Sequence, residues 1–100
     1  MDKLALLVTL QAKPGKEKEV ENFLNSGLAL VEQEPNTNHW FALKIGEGKY
    51  GIFDTFNDES GRDEHLNGKV AEALMAKAAD LFSSSPVIEK VEIIISKEPA

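Results

Sequence analysis

One hundred residues, 42% of them hydrophobic and 28% charged, allow one domain (1–100) with one core and no room for a second. A net charge of −6 argues against nucleic acid or anionic membrane as partner, since both need clustered Lys and Arg, and the lack of cysteine excludes disulfides, thiol chemistry and cysteine-ligated metal. No apolar run approaches about 18 residues, and the N-terminus has neither a basic stretch nor a small-residue cleavage site, so a cytoplasmic protein is expected.

In chain order, Lys3 to Ala12 reads as a strand, apolar from Leu4 to Val8 and ended by Lys13-Pro14-Gly15. From Lys16 to Glu34 the residues Val20, Phe23, Leu24, Leu28 and Val31 recur at helical spacing, with Glu17 and Glu19 in the first turn, where the helix dipole favours them. Pro35 to Asn38 closes this helix. His39 to Ile45 and Tyr50 to Phe56 read as strands joined by the turn Gly46-Glu47-Gly48-Lys49. Asn57-Asp58 starts a short helix that carries His65, and Asn67-Gly68 separates it from a second stripe of Val70, Leu74, Ala78 and Leu81. Ser83 to Pro86 is a turn, Val87 to Ser96 a final strand, and Lys97 to Ala100 a frayed tail. The order βαββααβ predicts an α+β chain: a ferredoxin-like, four-stranded antiparallel sheet with helices on one face.

A sheet that is wet on one side alternates apolar with polar residues. Leu4-Ala5-Leu6-Leu7-Val8 and Ile93-Ile94-Ile95 do not, so both faces of the first and last strands are apolar. The uncovered face has an area of about 350 Å², and covering it contributes on the order of 9 kcal/mol before association costs. A second copy, sheet against sheet, is the simplest cover, and a homodimer is expected.

Several segments carry a family resemblance. They are Lys13-Pro14-Gly15-Lys16-Glu17 leading into a helix, Glu34-Pro35, Phe53 to Glu59, Glu64-His65-Leu66, and Ala71 to Ala76 before the terminal strand. In order and spacing this set resembles antibiotic biosynthesis monooxygenase (ABM) domains over nearly the whole chain. The resemblance implies a dimeric α+β barrel with a pocket between each subunit's helices and its sheet. Several members oxidise quinols or polycyclic phenols with O₂ and no metal, flavin or haem, while others degrade haem. The haem-degrading triad of Asn, Trp and His would fall near Val8, His65 and Met75, none of which matches, although His65 is itself a potential iron ligand.

Such chemistry needs a base, an oriented apolar cavity and exclusion of water, because a deprotonated phenol or quinol can itself reduce O₂. His65 stands at the family's recurrent histidine position and is the candidate proton acceptor or substrate hydrogen-bonder; a helix-capping histidine is the alternative. Strand parity places Asp54 on one face with Tyr50, Ile52 and Phe56, where it would orient His65 or bind a substrate hydroxyl if that face meets the helices; facing the other subunit it would be an interface residue, and an edge-exposed aspartate is the third reading. His39 is expected at the surface, and Arg62 as a solvated partner of Asp58 or Glu59. Trp40 and Phe41 face opposite sides. The pocket for a small apolar or aromatic substrate would be lined by Trp40, Phe56, Leu6, Val8, Phe23, Leu24, Leu74 and Met75, each of which equally suits ordinary core packing. Two separated histidines make a poor metal site, and the resemblance implies that no cofactor is needed. Two functions are open: a cofactor-independent monooxygenase of quinol-like or polyphenolic molecules, and a non-catalytic dimeric binding or stress-associated protein.

Overall fold

The turn between Gly46 and Lys49 sets the register of the central hairpin. Gly48 takes φ of 69°, a conformation that L side chains rarely adopt, and its carbonyl accepts bonds from Ala12 N (2.9 Å) and Gln11 Nε2 (3.1 Å). The turn is thereby tied to the end of the strand beside it.

The computed structural model describes residues 2–99. They form β1 (Leu4–Gln11), α1 (Glu17–Val31), β2 (His39–Gly46), β3 (Lys49–Phe56), α2 (Glu59–Leu66), α3 (Lys69–Leu81) and β4 (Val87–Glu92). The sheet order is β2-β3-β1-β4 with every pairing antiparallel, the ferredoxin-like arrangement predicted by the element order. Met1 and Ala100, the first residue of β1's lead-in and the last of the expected frayed tail, lie outside the described residues.

Register and burial identify the face that meets the helices. Tyr50, Ile52, Asp54 and Phe56 of β3 lie opposite Leu10, Val8, Leu6 and Leu4 of β1, and all but Leu4 are buried. Trp40 pairs with Asp54 and extends this layer onto β2. The stripes of α1 (Val20, Leu24) and α3 (Leu74, Leu81) close over it with Phe82. The opposite face carries Leu7, Phe53 and Val91, half-buried by their neighbours, and Phe41, Leu43, Ile45 and Val87, exposed. Among the described residues nothing covers this apolar face.

Two expectations are corrected. The last strand ends at Glu92 rather than Ser96, because Glu92 pairs with Leu4, the first residue of β1, and the ladder has no partner beyond it. A single bond from Ile93 N to the Lys3 carbonyl follows; Ile94 and Ile95 are then 98% and 83% exposed. Arg62 is not solvated. It is 7% exposed, and Nη1 donates long bonds of 3.4 Å to the carbonyls of Ala5 and Val91. One turn separates it from His65, so the face of α2 that buries the histidine buries the arginine as well.

Leu10 is 1% exposed at the centre of the core. Leu10→Ala is expected to lower the unfolding free energy by about 2–5 kcal/mol in urea titration, against about 0.5 kcal/mol or less for Met75→Ala on the outer face of α3. Equal effects would contradict the described packing.

Candidate functional site

Asp58 starts α2. Its backbone is extended, and its side chain accepts a bond of 2.9 Å from Gly61 N, satisfying one of the free donors of the first turn. The eight-residue helix then turns Gly61, Arg62 and His65 inward. The His65 ring lies against Phe56, with centroids 5.5 Å apart and planes at 44°, and is almost completely buried.

Both ring nitrogens of His65 meet carboxylates. Nε2 is 2.8 Å from Oδ2 of Asp54, and Nδ1 is 2.5 Å from Oε1 of Glu34. The Asp54 contact pairs the ring with a sealed carboxylate. Asp54 itself is 1% exposed in the middle of β3, and its Oδ1 has no partner among the described residues. Glu34 follows α1 in the connection to β2, and its Oε1 also accepts a bond of 2.8 Å from the Thr37 hydroxyl. Burial pulls the His65 pKa down, but hydrogen bonding and charge from Asp54 and Glu34 outweigh it and hold the imidazole above the ordinary histidine value.

This array forms one wall of a cavity of about 220 Å³. Glu34, Asn36 and Thr37 line it from the α1–β2 connection, His65 and Glu64 from α2, and Lys69 from the start of α3. Asn36 Nδ2 donates to Glu64 Oε2 at 2.7 Å and closes one side. Gly68 keeps this corner open: a Cβ would lie 3.0 Å from Glu34 Oε2 and 3.1 Å from the Glu64 carbonyl, so one of them would have to give way. Among the described residues no group of three or more His, Cys, Asp and Glu side chains is arranged to hold a metal, and Asp54 and Glu34 approach opposite edges of the ring rather than one point.

Of the expected site residues, the structure brings His65, Asp54 and Phe56 together. Trp40, Phe23, Leu24 and Leu74 surround a separate apolar void of about 50 Å³ between α1, α3 and the sheet. A cavity of about 150 Å³ is needed to take up benzene, so this void does not admit an aromatic ring as it stands. Leu30 forms a wall of both spaces. Leu6 and Val8 are buried in the packing beneath the helices. Met75 is misplaced in the expected lining: it is 56% exposed, because it follows Leu74, which points at the sheet, and the next helical position turns about 100° away. His39 is half-exposed as expected, with Nδ1 2.8 Å from Asp2 Oδ2 and 3.0 Å from the Thr55 hydroxyl. Glu34 was not anticipated as a site residue. It stands 31 positions before His65, and its one local signal is a carboxylate placed just before Pro35 at a helix end.

The raised His65 pKa fixes the sign of a pH dependence. The pair contributes its full stabilisation below the unfolded value of about 6.5 and loses it as pH rises through the higher folded value. Melting temperatures across mildly acidic to mildly alkaline buffers should therefore fall as pH rises past about 6.5 in the parent, whereas His65→Gln should lack that slope. Parallel curves for the two proteins would contradict the assignment.

The sequence matches no protein-family model and no curated protein. Solved structures do match. The NE2512 protein of unknown function from Nitrosomonas europaea is 56% identical, covering 100% of this chain and 97% of its own, with a TM-score of 0.95. A proposed antibiotic biosynthesis monooxygenase from Caulobacter crescentus superposes with a TM-score of 0.80 at 21% identity, covering 94% of this chain and 92% of its own. Another from Chloroflexus aurantiacus gives 0.73 at 11% identity, covering 96% and 97%. The chain therefore belongs to one family with the Nitrosomonas europaea protein, built on the fold of the antibiotic biosynthesis monooxygenases.

Proposed function

We propose that this protein is a cofactor-independent monooxygenase of a quinol-like or polyphenolic small molecule, working as a homodimer. The observation that carries the reading is His65, held between two carboxylates in the wall of a cavity of about 220 Å³. A hydroxyl entering that cavity meets groups able to take its proton, and the resulting phenolate is electron-rich enough to reduce O₂. The overall change balances as quinol plus O₂ giving hydroxyquinone plus water. One oxygen atom enters a ring carbon, the other leaves as water, and the ring supplies all four electrons. A second reading, a non-catalytic binding protein, is favoured by the engagement of both His65 ring nitrogens with carboxylates, which leaves the ring no free nitrogen to take a substrate proton.

Dimerisation is supported by the uncovered sheet face. Its area of about 350 Å² falls short of the roughly 800 Å² per partner typical of a stable interface. The exposed Ile94 and Ile95 beyond β4 offer further apolar surface for the same contact.

Oxygen uptake with a panel of hydroquinones tests the chemistry. The parent should consume one O₂ per quinol, and His65→Ala should lower kcat/KM by about 10²–10⁴-fold. No uptake by the parent would favour the binding reading; uptake unchanged in the variant would remove His65 from the reaction. Sedimentation tests assembly: the parent should run at twice the chain mass, and Phe41→Lys, which puts a charge on the open face, should run as a single chain. A monomeric parent at micromolar concentration would end the dimer proposal.

A further inference from the structure

Resting on the reading of the His65 cavity as a proton-abstracting site, we propose that Glu34 is the group that takes the substrate's hydroxyl proton, through Oε2, while His65 acts behind it as a fixed cation.

Four observations lead there. First, both His65 nitrogens are already engaged, Nδ1 with Glu34 and Nε2 with Asp54, so the protonated ring has no lone pair to offer a ligand. Secondly, the His65 side chain is 7% exposed whereas that of Glu34 is 20% exposed, so a molecule in the cavity reaches the carboxylate more readily. Thirdly, the two oxygens of Glu34 differ. Oε1 accepts from His65 and Thr37, while Oε2 lies over Gly68, where the missing side chain leaves it room, and accepts no hydrogen bond among the described residues.

The fourth is charge. With His65 protonated, Asp54, His65 and Glu34 sum to −1, and one further proton brings the set to zero. The charged groups around it are Arg62 and Glu64 on α2, buried and cavity-lining respectively, and Lys69 at the start of α3. The step breaks the substrate O–H bond, forms an O–H bond at Glu34 Oε2 and leaves a phenolate. That new anion shares the cavity with Lys69 and lies near the first turn of α3, whose N-cap Gly68 supplies no side-chain oxygen to its free N–H groups. Asp54, sealed beneath the ring, positions the imidazolium and does not touch substrate.

4-Nitrocatechol is a suitable probe, because its absorption band shifts on losing a proton. Titrated at a pH where the free probe is mostly protonated, it should show the anion band on binding the parent. Glu34→Gln should bind it with loss of that band, and Glu34→Asp should recover part of it. Near-UV circular dichroism matching the parent shows that each variant is folded. An anion band surviving in folded Glu34→Gln would overturn the assignment while leaving the site intact. A parent that shows no anion band would overturn the proton-abstracting reading itself, and the assignment with it.

Discussion

A carboxylate placed at the centre of a helix-covered sheet is a severe constraint on everything around it. Asp54 sits between Leu6 and Trp40 in the sheet register and is 1% exposed, so water cannot satisfy its charge. An uncompensated buried charge costs about 3–5 kcal/mol, a large share of the stability of a domain this size. The cation that answers it is His65. That single pairing fixes how deep α2 sits, which of its faces points inward and where the chain must turn to reach it.

The flanking sequence serves this placement. Asp58 pins the first turn of α2, so the helix begins immediately after β3 and His65 falls back over the strand that carries Asp54. Gly68 lets α3 start close behind, leaving room for Glu34 against the outer edge of the ring. Thr37 holds Glu34 in turn. The two carboxylates share the imidazole from opposite environments, one sealed in the core and one at a cavity. Only the second is open to a ligand, although their side chains differ by one methylene.

Much of this was legible in the sequence. Apolar recurrence at helical spacing marked α1 and α3, Gly46 to Lys49 marked the hairpin, and the parity of β3 put Asp54 on one face with Tyr50, Ile52 and Phe56. Each of these is a local pattern whose period the backbone itself imposes. What could not be read depended on tertiary distance. Glu34 looks like any acidic residue at a helix end until the α1–β2 connection is folded beside α2. Arg62 looks solvated because arginine usually is, yet an eight-residue helix that buries His65 cannot keep its neighbour one turn earlier in water. Met75 failed for the opposite reason, since its apolar character says nothing of which way the helix is turned. Ile93 to Ile95 have strong strand character, but a ladder ends where its partner ends, and β1 begins at Leu4.

The alternation of a strand also keeps the histidine side and the open apolar side apart. In β3, Asp54 and Phe56 face the histidine while Phe53 and Thr55, their immediate neighbours, face the uncovered side. A shift of one residue would bring Phe53 under the helices and expel Asp54 to the open face. The cation in α2 would then have no buried partner, which raises the free energy. The Asp54–His65 pair therefore holds the strand in register as well as preparing the cavity, and a partner packed against the open face would hold the same register from the other side.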